Sequence, residues 1–181
     1  MTRLKAIMMT TLTACMLMAC GSSDNFADEF SSSDLYAIVK PEGEQPIDIT
    51  PSDYVLTLEN IIAVNPETGE FKVKNTERID SKAYPLPTQH LILFYSKGTL
   101  LFGAKLNSVI SSYHPSGLTF CHLLTDKKGL ARYDLGSTHI VTQDGKVEGM
   151  PDEQQQQGMQ RMYEILKKAG KTSNNIDYEF Q

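Results

Sequence analysis

The chain of 181 residues has no tryptophan, three cysteines, four histidines and no run of basic residues. Each scarcity removes a class of function. Cys15, Cys20 and Cys121 are too few and too scattered for a disulfide framework. His90, His114, His122 and His139 have no histidine, cysteine or carboxylate partner at i, i+2 on a strand or i, i+4 on a helix, so neither a zinc site nor any other metal or cofactor is expected. Seventeen lysines and arginines against 22 aspartates and glutamates give a net charge of −5, with no stripe to neutralise phosphates, so nucleic acid is not an expected partner. No segment between residues 60 and 147 carries a helical pattern long enough for a crossover, which argues against parallel strand pairs.

What is present begins at the amino terminus. Arg3 and Lys5 precede an apolar run from Ala6 to Ala19, which ends in Leu17-Met18-Ala19-Cys20. This is the layout of an export signal. A membrane span needs ~20 apolar residues, and this stretch is shorter and broken by Thr10, Thr11 and Thr13. The four closing residues resemble the lipobox of bacterial lipoproteins, with Met18 departing from the smaller residue usual at its place. The resemblance implies that residues 1–19 are a signal peptide and that Cys20 is the lipidation site. It implies a partner too, the membrane, reached through acyl chains on Cys20, and a place in the cell envelope, lipid-anchored at the outer membrane. Two or more acyl chains give stable anchoring, at ~0.8 kcal/mol per buried methylene.

Loss of Arg3 and Lys5 with the signal would take the net charge to −7. Residues 20–33 are polar and acidic, with too little apolar surface to offset the entropy of ordering them, and read as a flexible tether. Asp24, Asp28 and Glu29 fit either a solvating linker or the acidic signals that send some lipoproteins to the outer face. Residues 34–181 then form a single domain.

The expected fold class of that domain is α+β, an antiparallel sheet of consecutive hairpins with one C-terminal helix packed on a face. Residues 61–65 and 70–75 flank Pro66-Glu67-Thr68-Gly69, and Phe71 and Val73 alternate with Lys72 and Lys74. Residues 91–95 and 100–106 flank Ser96-Lys97-Gly98-Thr99, both arms apolar and hence central. Residues 118–125 and 130–134 surround Asp126-Lys127-Lys128-Gly129, and Asp144-Gly145 signals a short hairpin. Residues 35–39 suit a first strand, 41–51 a long surface connection and Thr50-Pro51-Ser52-Asp53 a capped turn. The helix runs from Pro151 or Asp152 to Ala169, with Met159, Met162, Tyr163, Leu166 and Ala169 as its apolar stripe and Gly170 as its stop. Alternation of Ile176, Tyr178 and Phe180 with charges predicts a closing edge strand.

From Leu56 onward the landmarks Thr57-Leu58-Glu59-Asn60-Ile61, Asn65 with Thr68-Gly69-Glu70, Lys97-Gly98, Ser108-Val109-Ile110-Ser111-Ser112 and Lys168-Ala169-Gly170-Lys171 resemble a group of small lipoproteins from Gram-negative gut commensals. That group brings an architecture and no assigned activity.

Few residues suit chemistry. His122 shares a strand face with Leu118, Phe120 and Leu124 and reads as a core histidine, with a catalytic role as the alternative. Ser111-Ser112-Tyr113-His114 brings serine and histidine close without a glycine-flanked elbow. Cys121 reads as a small core residue. Tyr84 and Tyr113 fall in loops, where the rings either stack on a glycan or protein partner or fold back on the sheet. The expected function is therefore a membrane-anchored envelope lipoprotein with a non-catalytic ligand- or partner-binding domain. Two alternatives stand beside it: a structural or assembly accessory of an outer-membrane complex, and a hydrolase using His122 or His114.

Overall fold

The computed structural model of the protein describes residues 31–44, 48–79, 89–109, 111, 115–141, 143–144 and 146–177. Among the described residues, ten strands are followed by a long helix: β1 (Tyr36–Pro41), β2 (Tyr54–Thr57), β3 (Ile61–Asn65), β4 (Glu70–Lys74), β5 (His90–Ser96), β6 (Thr99–Ser108), β7 (Gly117–Thr125), β8 (Leu130–Thr138), β9 (Ile140–Val141), β10 (Val147–Glu148) and α1 (Glu153–Lys168). The α+β class is as the hydrophobic periods imply. Eight strands form one sheet in the order β2-β1-β5-β6-β7-β8-β4-β3, and β9 and β10 make a separate hairpin.

The turns follow from their residues. Lys97 and Gly98, both at positive φ (49° and 80°), join β5 to β6 by the two-residue loop that matches strand twist. The Asp34 carboxylate holds Lys97 by an ion pair of 3.1 Å, and Lys97 N–H donates to the Ser33 carbonyl, so ordered contacts reach back to residues 31–34. Hydrogen bonds from the Ser31 N–H and Lys97 keep the Asp34 carboxyl below its ordinary pKa. At residues 50–53, Thr50 N–H and Oγ1 both donate to the Asp53 carboxylate, capping the short 3-10 turn Pro51–Asp53 that leads into β2.

One pair in the sheet departs from expectation. β6 and β7 are parallel, with Lys105 opposite Thr119 and Ser108 opposite His122. The stagger sets Gly117 level with Gly103, so the link must climb back only five residues, ~17 Å at ~3.3 Å each. The chain from Ser108 to Gly117 can reach ~30 Å when extended, so no crossover helix is required.

The sheet also curls. β2 and β3 are its two edges, yet only Leu58, Glu59 and Asn60 separate them in sequence. Four Cα steps span at most ~15 Å, whereas the edges of a flat eight-stranded sheet would lie ~34 Å apart. Thr57 N–H and Oγ1 donate to Asn60 Oδ1 at 3.0 and 2.9 Å and lock the turn that joins the edges. Leu58 N–H to the carbonyl of Leu35, just ahead of β1, and Lys74 N–H of β4 to the Asn60 carbonyl fasten it to its neighbours.

Inside the curl lies the main core. Phe71 and Phe94 meet Phe120 edge-on, and Tyr133 stacks on Phe120 with centroids 4.7 Å apart. Met162 and Leu166 of α1 are fully buried among these rings, which accounts for the helix packing on a sheet face. A second, smaller core lies on the opposite face, where Tyr36 stacks between Tyr54 and Tyr95 beside Ile38 and Leu93. The helix is capped by Asp152, whose Oδ1 accepts from Gln155 N–H at 2.7 Å, and it ends at Gly170 with φ of 67°. No helix among the described residues is long and apolar enough to cross a membrane.

After α1 the chain does not wait until residue 176 to return. Lys171–Ser173 lie beside the outer edge of β3, with Val64 N–H donating to the Lys171 carbonyl and Ser173 N–H to the Val64 carbonyl. Ile176 and Asp177 are not in a strand, and residues 178–180 of the expected strand lie outside the described residues.

Candidate functional site

Among the described residues, two grooves bear on function. The larger, ~550 Å³ and so within the size range of ligand sites, runs along α1. One wall is the helix stripe Gln156, Met159, Gln160, Tyr163, Glu164 and Lys167, at three- and four-residue steps beside the buried Met162 and Leu166. The other wall is Pro66 with Thr172 and Asn174, held there by the Val64 pairing and by Asn65 Nδ2, which donates to the Asn174 carbonyl at 3.2 Å. Met159, Tyr163 and Pro66 make an apolar floor, and amide and charged side chains make the rim. Burial pushes the Tyr163 hydroxyl up to a pKa of about 12, so it stays a neutral donor at any physiological pH.

The smaller groove, ~310 Å³, lies on the outer sheet face over β6, β7 and β8 and includes Asn107, Thr119, Cys121, Asp134 and Thr138. Strand register places Asn107, Cys121, Asp134, Glu70 and Asn65 in one row across five strands. Arg132 Nε pairs with Glu70 at 3.1 Å. Burial raises the Asp134 pKa, the Arg132 charge opposes that shift and the Glu70 charge adds to it. Cys121 is only half-buried; burial first, then the Asp134 charge, raises its thiol. A thiol shifted this way is protonated and a poor nucleophile. Among the described residues, the charge that acts on it is negative, the opposite of the electropositive setting of a catalytic cysteine.

His122 corrects its sequence reading. It keeps the face of Phe120, opposite the buried Tyr133, but is only half-buried, at the point where the regular register with β8 ends. Its ring tilts over Tyr133 with centroids 5.0 Å apart, and its Nε2 meets the Thr125 hydroxyl at 2.9 Å. No carboxylate among the described residues hydrogen-bonds it. His90 is half-buried at the start of β5 and His139 is exposed between β8 and β9. Among the described residues no three His, Cys, Asp or Glu side chains gather as metal ligands. Cys20, Tyr84, Ser112, Tyr113 and His114 lie outside the described residues. The groove along α1 was half legible in the sequence: Met159 and Tyr163 stood out as an apolar stripe, whereas the Thr172–Asn174 wall depends on a contact 108 residues distant along the chain, between Val64 and Thr172.

Known proteins add nothing to this. No protein-family profile, curated protein or solved structure matches the chain.

Proposed function

We propose that the protein is a lipid-anchored component of the bacterial cell envelope, held by acyl chains on Cys20 at the outer membrane, whose domain binds a ligand or partner without transforming it. The observation that carries the binding half is the groove along α1: ~550 Å³ with an apolar floor and a rim of hydrogen-bonding side chains. Chemistry finds less support: burial and the Asp134 charge raise the described thiol, and among the described residues the hydrogen-bond partner of His122 is a hydroxyl. The anchoring half rests on the resemblance of Leu17-Met18-Ala19-Cys20 to a lipobox and on the likeness to small commensal lipoproteins.

Each half has its own test. In cells fed a fatty-acid probe, Cys20→Ser should abolish labelling and leave uncleaved precursor; continued labelling would refute the anchor. A thermal-shift screen of the detergent-solubilised full chain against glycans, peptidoglycan fragments and peptides tests binding. A ligand at 100 times its Kd stabilises by ~2.7 kcal/mol, a midpoint rise of ~5–10 °C for this size. A response that Met159→Lys removes supports the groove; a flat panel transfers weight to an accessory role in an envelope complex, which crosslinking would then address.

A further inference from the structure

The wall of the α1 groove opposite the helix is a strand edge, and the hydrogen-bond pattern fixes which way it faces. Val64 donates to Lys171 and accepts from Ser173, so Lys171 C=O and Ser173 N–H point toward β3. In an extended segment the residue between them points its own N–H and C=O the opposite way. Thr172 therefore directs a main-chain donor and acceptor away from β3, and Thr172 lines the groove. Neither group has a hydrogen-bond partner among the described residues, although the residue is half-buried. Facing an open groove, the two groups are free to pair with the main chain of an added segment in place of water.

We propose that an extended peptide segment of a partner protein adds as a further strand on the Thr172 edge and lies in the groove beneath α1. The inference rests on the binding reading above and names its ligand class. The helix wall from Gln156 to Lys167 is ~17 Å long at ~1.5 Å per residue, room for about five residues of extended chain at ~3.3 Å each. Alternate side chains of that peptide would face the Met159, Tyr163 and Pro66 floor, which suits apolar residues, while those between would face solvent. Main-chain pairing supplies affinity and the floor supplies selection, the division of labour in strand addition generally. The edge is also short. Ser173 Oγ bonds to Asn175, and Asn174 gives its carbonyl to Asn65, so the chain leaves strand geometry after Ser173 and Thr172 offers one pairing position rather than a long template for aggregation. A glycan needs ring faces to stack on, and the groove offers one tyrosine ring, with methionine and proline making up the rest of its floor.

The probe is a displayed library of random linear decapeptides, selected on the detergent-solubilised full chain and counter-selected on Met159→Lys. Enriched peptides should carry apolar residues at alternate positions. Thr172→Pro, which removes the N–H donor alone, should weaken them ~10-fold, and Thr172→Val, which keeps it, less than ~2-fold, as expected for one main-chain hydrogen bond. Because a proline variant can also disturb the segment, the same peptides are N-methylated one amide at a time and tested on the unaltered protein. One position should lose ~10-fold through loss of its bond to the Thr172 carbonyl. Groove-dependent peptides indifferent to both changes would overturn strand addition and leave the groove reading intact. No groove-dependent peptide, with a glycan response in the thermal screen, would do the same. Silence in both assays would overturn the two together.

Discussion

Gly158 lies against the backbone of Leu101 so tightly that a Cβ built on it would sit 2.1 Å from the Leu101 carbonyl oxygen. This contact sets how close α1 approaches β6, and through it how deeply Met162 and Leu166 reach into the core. In a helix interior, alanine is otherwise favoured over glycine by ~1 kcal/mol. Gly158→Ala should nonetheless destabilise, by about 1–3 kcal/mol as overpacking does, and lower the melting midpoint by ~3–10 °C. A midpoint that rises would mean the helix rides away from β6 freely.

The curl of the sheet depends on the turn between its two edges. Asn60→Ala removes the acceptor that Thr57 N–H and Oγ1 share, leaving a part-buried donor unsatisfied. A loss of about 1–2 kcal/mol in denaturant unfolding is expected. If only this closure loosens, hydrogen exchange should accelerate first at Leu58 and Lys74, whose N–H groups fasten the turn to its neighbours.

How much of this was readable in advance follows from the range of each interaction. The β3–β4, β5–β6 and β7–β8 hairpins and the helix are local, and period-two alternation, Gly69, Gly98 and Gly129 at turns and the Asp152 cap announce them. The pairing of β4 with β8, the parallel β6–β7 pair and the short β2 leave no local mark, since each is decided by which edges meet once the sheet rolls up. The same holds for the grooves. Alternation at Ile176–Phe180 was the only signal for a last strand, and the nearer segment at Lys171–Ser173, without alternation, took the edge of β3 because α1 delivers it there. Asp134 stood out in no motif; its environment comes from strands 60 residues apart.

Tyr163 offers a readout of the α1 groove. Its folded pKa of about 12 lies above the ordinary tyrosine value of 10.0 because burial disfavours the phenolate. A folded pKa raised this way contributes stability that is present in full below pH 10 and is lost as pH rises from 10 toward 12, where the unfolded chain releases the proton first. Tyr36 and Tyr95 are shifted in the same direction, so the Tyr163 share is read by difference. Tyr163→Phe should lose less stability than the parent between pH 9.5 and 11 in parallel melts, and phenolate absorbance of the folded parent should show one fewer tyrosine titrating at pH 11 than the unfolded chain shows after correction for those two. Equal alkaline losses in parent and variant would place the hydroxyl in water.

Asp134 and Cys121 sit directly opposite each other on β8 and β7, and the Asp134 charge adds to the burial that raises the Cys121 thiol. The Asp134 pKa is raised by burial, so folding favours its protonated form. The sign is that of any raised folded pKa: the contribution is present below the unfolded value of about 4 and lost as pH rises through the folded one. Asp134→Asn should therefore hold or gain stability relative to the parent at pH 7, and that advantage should shrink as the pH falls to 3. The same substitution removes the negative charge that, together with burial, raises the Cys121 thiol. Alkylation of Cys121 by iodoacetamide at pH 8 should be slower in the parent than for a free thiol and faster in Asp134→Asn, since only the thiolate reacts. An unchanged rate together with an unchanged pH profile would mean that solvent screens the pair.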